Sequence, residues 1–217
     1  MDGRVVIELQ DVTFGYDARR TALEVPSLTI PAGVTLVVGQ NGSGKSTLLR
    51  LIAGVDPPSR GTIRIDSLDL WRDEVEARRK LAYVPETPEL TPYATIADVL
   101  QLVASLRGAA MESVVNALDR VGLFELAGRT VRELSMGQRR RAMLASALVG
   151  EPRVIILDEP LETLDVEMRA FIVEWVASLR VAGAAVLVAT HDVASFTAVT
   201  DRTLAVDAGR VRWCPGS

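Results

Sequence analysis

The sequence predicts an α/β fold with a mainly parallel sheet, an N-terminal antiparallel β subdomain and an inserted helical subdomain at about residues 87–150. Three observations predict it. Continuous aliphatic runs at GVTLVV (33–38), RVIILDEP (153–160) and GAAVLVATHD (183–192) read as strands buried on both faces, which is the habit of parallel sheets. Two of these runs are followed by helical patterns that stop at a glycine, KSTLLRLIAG (45–54) and EMRAFIVEWVASLRVAG (167–183), giving repeated strand and helix units. Between those units, residues 87–150 show helical patterns at TIADVLQLVASLRG, MESVVNALDRVGLF and GQRRRAMLASALVG, and no convincing strand.

Taken in chain order, RVVIELQDV (4–12) includes an alternating apolar and polar section suited to a half-exposed strand, and LTIPAG (28–33) reads as a strand ending in a turn. Together they predict the N-terminal antiparallel sheet. The length of 217 residues suits one large domain, 1–217, or a core carrying one inserted subdomain. With 48% hydrophobic, 24% charged and 5% aromatic residues, the composition is that of a soluble globular protein. A formal net charge of −4 gives no reason to expect a nucleic-acid partner, because phosphate neutralisation needs clustered positive charge. Lysine occurs only at Lys45 and Lys80. The single cysteine, Cys214, cannot form an internal disulfide, so a reducing cytosol is the expected compartment. Neither a signal peptide nor a membrane span is legible, so any work at a membrane is expected to go through a partner.

The stretch GQNGSGKST, comprising Gly39, Gln40, Asn41, Gly42, Ser43, Gly44, Lys45, Ser46 and Thr47, matches G-x-x-x-x-G-K-[ST] between a strand and a helix. That context makes the core a P-loop NTPase. Glycines let backbone N–H groups curl around a triphosphate, and the following helix adds a dipole that favours anions. Lys45 is expected to reach the β- and γ-phosphates of ATP, and the Ser46 hydroxyl to ligate Mg2+. At the end of VIILDEP, Asp158 is suited to hold the metal and Glu159 to polarise the attacking water, at the sheet edge where ligand sites collect. His191, the only histidine, ends another buried strand on that edge, where a neutral imidazole could hydrogen-bond a γ-phosphate oxygen or the water.

The string LSMGQRRRAMLASAL, Leu134 to Leu148, combined with the phosphate loop, makes the chain resemble the ATP-binding subunit of ABC transporters over essentially its whole length. Leu134-Ser135-Met136-Gly137-Gln138 is similar to the family signature, usually Leu-Ser-Gly-Gly-Gln, and also suits a plain helix start with Ser135 as N-cap. The resemblance implies a head-to-tail dimer, of identical or closely related subunits, with ATP held between one phosphate loop and the other subunit's Ser135, Gly137 and Gln138. It implies adenine stacking for Tyr16, for which packing into the N-terminal sheet is the alternative. It further implies a separate integral membrane permease, docked on the helical subdomain and the segment from Glu86 to about Val99, and hence a cytoplasmic location at the inner face of the membrane.

Three positions depart from the family pattern. Met136 replaces the first glycine of the signature pair, and Glu162 adds a charge in Glu162-Thr163-Leu164-Asp165 where Ser-Ala-Leu-Asp is common. Glu86, in LAYVPETPEL, stands where the family carries a glutamine that contacts the metal; a carboxylate can ligate the metal but cannot donate an amide hydrogen bond. The acid is read as a functional variant, with loss of activity the alternative. That acid, and the short stretch after TLAVDAGRV, tilt the expectation towards export. A soluble relative acting on nucleic acid or ribosomes is the rival reading, and a small-molecule P-loop kinase a third.

Overall fold

The computed structural model describes residues 5–16, 21–87 and 90–215. Arg4 of the first predicted strand and residues 88–89 of the predicted insertion lie outside the described residues. Chain order is β1 (Val5–Phe14), β2 (Leu23–Pro31), β3 (Gly33–Val38), α1 (Lys45–Ile52), β4 (Arg60–Ile65), β5 (Leu68–Asp69), α2 (Glu74–Arg79) and β6 (Leu81–Val84). Then come α3 (Ile96–Arg107), α4 (Met111–Arg120), two short 3-10 turns, α5 (Met136–Leu148), β7 (Val154–Asp158), α6 (Val166–Val181), β8 (Ala185–Ala189), α7 (Val193–Phe196), β9 (Arg202–Asp207) and β10 (Arg210–Trp213).

The strands form one sheet in the order β5-β4-β1-β2-β10-β9-β3-β8-β7-β6. Strands β3, β8, β7, β6 and β9 pair in parallel, while β1, β2, β4 and β5 pair antiparallel. The antiparallel part is therefore not only N-terminal. The β9–β10 hairpin inserts between the two halves, with β10 bridging to β2 and β9 pairing with β3.

The apolar runs of the parallel strands serve two cores at once, because successive side chains point to opposite faces. Val34, Leu36, Ile155, Leu157, Val186 and Val188 pack with α3, α4, α5 and α6 on one face. Their neighbours Val37, Val154, Ile156 and Leu187 pack on the other, against α1 and residues of β1, β2 and β4. Each such side chain contributes about 1.5–3 kcal/mol when fully buried.

Helices α3, α4 and α5 contact one another and occupy the stretch between β6 and β7. Thr95 caps α3 with Asp98 in a reciprocal capping box, and Gly108 ends it in the left-handed region at φ 68°. Arg107, in the last turn of α3, fastens this unit to the sheet. Its guanidinium donates to Ser146 O (2.7 Å) and Val149 O (2.8 Å) at the end of α5, and to Leu81 O (3.0 Å) at the start of β6. Burial pulls the Arg107 pKa down to about 10. No helix among the described residues is long and apolar enough to cross a membrane.

Candidate active site

The phosphate loop connects β3 to α1. Gly39 has to be glycine: a Cβ there would come within 2.2 Å of Val206 O and 2.6 Å of Ser43 Oγ. Gly44 stands at the N-cap of α1 with φ 110°, and no side chain caps the helix. The first turn also lacks acidic residues, so the positive end of the dipole is left for an anion. Lys45 is buried and folds along its own loop, its Nζ donating to Gly39 O (2.8 Å) and Gln40 O (3.2 Å). From behind, the β9–β10 turn braces the loop, Gly209 N donating to Ser43 O at 2.9 Å.

Opposite the loop, the carboxyl ends of β7 and β8 deliver the acids and the histidine. Asp158 is buried, and burial raises its pKa. A hydrogen bond from Ser46 opposes that rise, the charges of Glu86 and Glu159 add to it, and Lys45 lowers it again. Glu159 follows with a left-handed backbone, φ 47°, an uncommon conformation for a side-chain-bearing residue of the kind that clusters at functional sites. Its own N–H donates to Ala189 O at 2.8 Å, fixing it against β8. Glu159 Oε2 accepts from His191 N at 3.1 Å, and His191 Nε2 lies 3.5 Å from Oε1. Glu86 sits in the bend after β6.

These groups line one cleft of about 960 Å³, together with Tyr16, Asn41, Gly42, Gly44, Ser46 and Thr47. Tyr16 is 70% exposed, stands edge-on to Phe14, and shares a 2.9 Å hydrogen bond with Thr47 Oγ1. Of the predicted phosphate-loop residues, Gly39, Gln40 and Ser43 form the loop without lining the cleft. Four carboxylates, Glu86, Asp158, Glu159 and Glu162, share the cleft with one lysine, Lys45, and no arginine among its described lining residues.

The structure does not bring Ser135, Gly137 and Gln138 into this cleft. They open α5 elsewhere on the surface, where Ser135 Oγ accepts from Gln138 N (3.2 Å) and Gln138 Oε1 accepts from Ser135 N (2.9 Å). Met136 is 58% exposed there, and Gly137 lies beside Thr163 O, 3.6 Å from where a Cβ would stand. Arg141 pairs with Asp165, which caps α6.

Sequence reasoning missed Thr21, Ala22, Ala208 and Gly209 on the cleft wall, and above all Arg140. Arg140 is 1% exposed. A signal existed: Arg140, Met143, Leu144 and Ala147 are all buried and fall on one i, i+3, i+4, i+7 stripe of α5, so an arginine occupies a core position.

Among the described residues no group of three or more His, Cys, Asp or Glu could hold a metal unaided. Ser46 and Asp158, both on the cleft wall, instead offer the sparse hard-oxygen set that Mg2+ uses when phosphate oxygens and water complete its shell.

A glycine loop at a bare helix N-terminus, facing two carboxylates and a histidine on a parallel sheet edge, defines a nucleoside-triphosphate hydrolase of the P-loop class. The family model described as "ABC transporter" matches residues 23–162. The chain is 40% identical over 194 residues to the aliphatic sulfonates import ATP-binding protein SsuB 2 of Pseudomonas aeruginosa, covering 88% of this chain and 69% of that one. It is 34% identical over 215 residues to the manganese transport system ATP-binding protein MntA of Synechocystis, covering 93% and 81%. An ATP-binding cassette solved as a dimer in a post-hydrolysis state with ADP and Pi superposes with a TM-score of 0.83 at 28% identity, covering 96% and 97%. The chain belongs to the ABC transporter family and is an ATP-binding, ATP-hydrolysing subunit of it.

Proposed function

We propose that the chain, as a single ATP-binding domain over 1–217 with a helical subdomain at about 87–150, binds ATP with Mg2+, dimerises on it and energises a separate membrane permease from the cytoplasmic face. The observation that carries this is the split of the site. The cleft holds the phosphate loop, Asp158, Glu159 and His191, whereas the Ser135–Gln138 turn lies outside it. A second subunit, packed head to tail, supplies that missing turn to the γ-phosphate. The phosphate-loop N–H groups and Lys45 hold the β- and γ-phosphates. Ser46 and Asp158 hold the metal, which offsets phosphate charge, and Glu86 borders the same ligand sphere. Glu159 orients the attacking water and accepts its hydrogen bond, and His191 donates to a γ-phosphate oxygen. Tyr16 offers its ring to adenine.

Import is the direction we favour, against the export tilt expected from the sequence. The relatives at 34–40% identity named above are an import protein and a transport-system protein, and an acid at position 86 specifies no direction by itself. Glu159→Gln tests the reading. Turnover is expected to fall by about 10²–10⁴-fold with ATP binding kept, and the variant to elute as a dimer with ATP because the closed state is no longer released. Parental turnover in that variant, measured by phosphate release, would overturn the role given to Glu159.

A further inference from the structure

We propose that Arg140 is a positioning residue for ATP hydrolysis: its buried guanidinium ties the turn bearing Glu86 to the strand end bearing Asp158 and Glu159, and its charge balances the acid at position 86. The inference rests on the ATPase reading above and deepens it. One terminal nitrogen, Nη1, donates to Pro85 O and, at 2.8 Å, to Glu86 O. The other, Nη2, donates to Asp158 O at 2.9 Å and to Glu159 O. Both segments therefore hang on a single planar fork, and both carry carboxylates that line the cleft. Burial lowers the pKa of this guanidinium, while the carboxylates of Glu162, Asp158, Glu86 and Glu159 act to raise it. Two of those four, Glu86 and Glu162, are the extra acids of this chain. Carboxylates crowded at one site repel one another, and a buried cation behind the cluster offsets that mutual repulsion and keeps them in place without competing for phosphate.

The position of Arg140 on α5 adds a mechanical argument. It lies little more than one turn after Ser135, on the same rigid helix. A ligand that shifts the Ser135 turn must also shift the fork, and with it the Glu86 and Glu159 backbones. Arg107 supplies a control within the same molecule. It is a half-buried arginine that likewise donates to three carbonyls across α5 and β6, but it does so away from the cleft.

The test uses the full chain, with ATP turnover per mole of folded protein, binding of a fluorescent ATP analogue in EDTA, and thermal melts. Arg140→Gln is expected to lower kcat by about tenfold or more while analogue affinity stays within about threefold, as misplacement of reacting groups does. In a Glu86→Gln background the same substitution should cost at least about threefold less, because the two charges are coupled. Arg107→Gln should lower the melting temperature and leave kcat per folded chain as in the parent. Should Arg140→Gln fail to fold, Arg140→Lys decides by the same split, since an ammonium keeps the charge and loses the four-carbonyl fork. The proposal is overturned if the Arg140 variants only lower stability, as Arg107→Gln does, or if the loss is equal with Glu86 and with Gln at that position. A parent chain that releases no phosphate would count against the ATPase reading instead.

Discussion

Two helix N-termini in this protein are built in opposite ways. Helix α1 begins at Gly44 with no side-chain cap, and the loop before it is braced from distant parts of the chain, by Val206 and Gly209. Helix α5 begins at Ser135 with a reciprocal capping box to Gln138, formed entirely within one turn and exposed. The first start leaves its N–H groups for a ligand and takes its shape from the fold. The second is satisfied by itself, so it is stable without a ligand, and exchanging its cap for one costs only about 1 kcal/mol. A start that needs no ligand can be carried on the surface and offered to another subunit.

The largest effect expected from breaking this contrast is at the first helix. Lys45→Ala removes the cation of the cleft and should lower turnover by about 10²-fold or more, with weakened binding of the fluorescent ATP analogue. At the second helix the effect is smaller and depends on association. Ser135→Ala should leave analogue binding to the isolated chain unchanged and lower turnover by about tenfold at protein concentrations where the parent is dimeric, with about 1 kcal/mol of stability lost through the cap. If Ser135→Ala weakened ATP binding by the dilute monomer, the second start would belong to its own chain's site.

The smallest effect is on the scaffold shared by both. Asp201 accepts from Val34 N at 2.8 Å and pairs with Arg180, tying the start of β9 to β3 and α6. Burial acts to raise its pKa, and the hydrogen bonds from Arg180 and Val34 N outweigh it, so the carboxyl titrates below its usual 3.8. Its contribution is therefore complete above the unfolded value and is lost as pH falls through the lower folded one. Asp201→Asn should cost about 1 kcal/mol at neutral pH, flatten the loss of stability below about pH 4 in acid melts, and leave kcat per folded chain unchanged.

The contrast also explains what could be read from the sequence. The phosphate loop, the aliphatic runs ending at Asp158 and His191, and the capped start of α5 are contiguous signals whose chemistry depends on near neighbours. The short strand β6, LAYV, was hidden because it follows a helix by one residue and precedes the bend at Glu86. Strands β9 and β10 pair with each other as a hairpin, but their place in the sheet was hidden because their other partners, β3 and β2, lie far away in the chain. Arg140 escaped for a related reason. Its partners are backbone carbonyls of two remote segments, and a carbonyl has no signature in sequence. The cap at Ser135 was legible from the residues themselves, whereas its position outside its own chain's cleft was implied only by the family resemblance, because that position depends on the path of the whole insertion.

The insertion of the β9–β10 hairpin between the two halves of the sheet bears on how the protein is made. During synthesis the residues of the phosphate loop emerge early, and the strands that form its back wall emerge after every other described element. Until then the antiparallel half and the parallel half have no shared edge, and Gly39 has no Val206 carbonyl to lie against. The nucleotide cleft is thus among the last parts of the molecule to close, because its walls come from the most widely separated portions of the chain and such contacts form late.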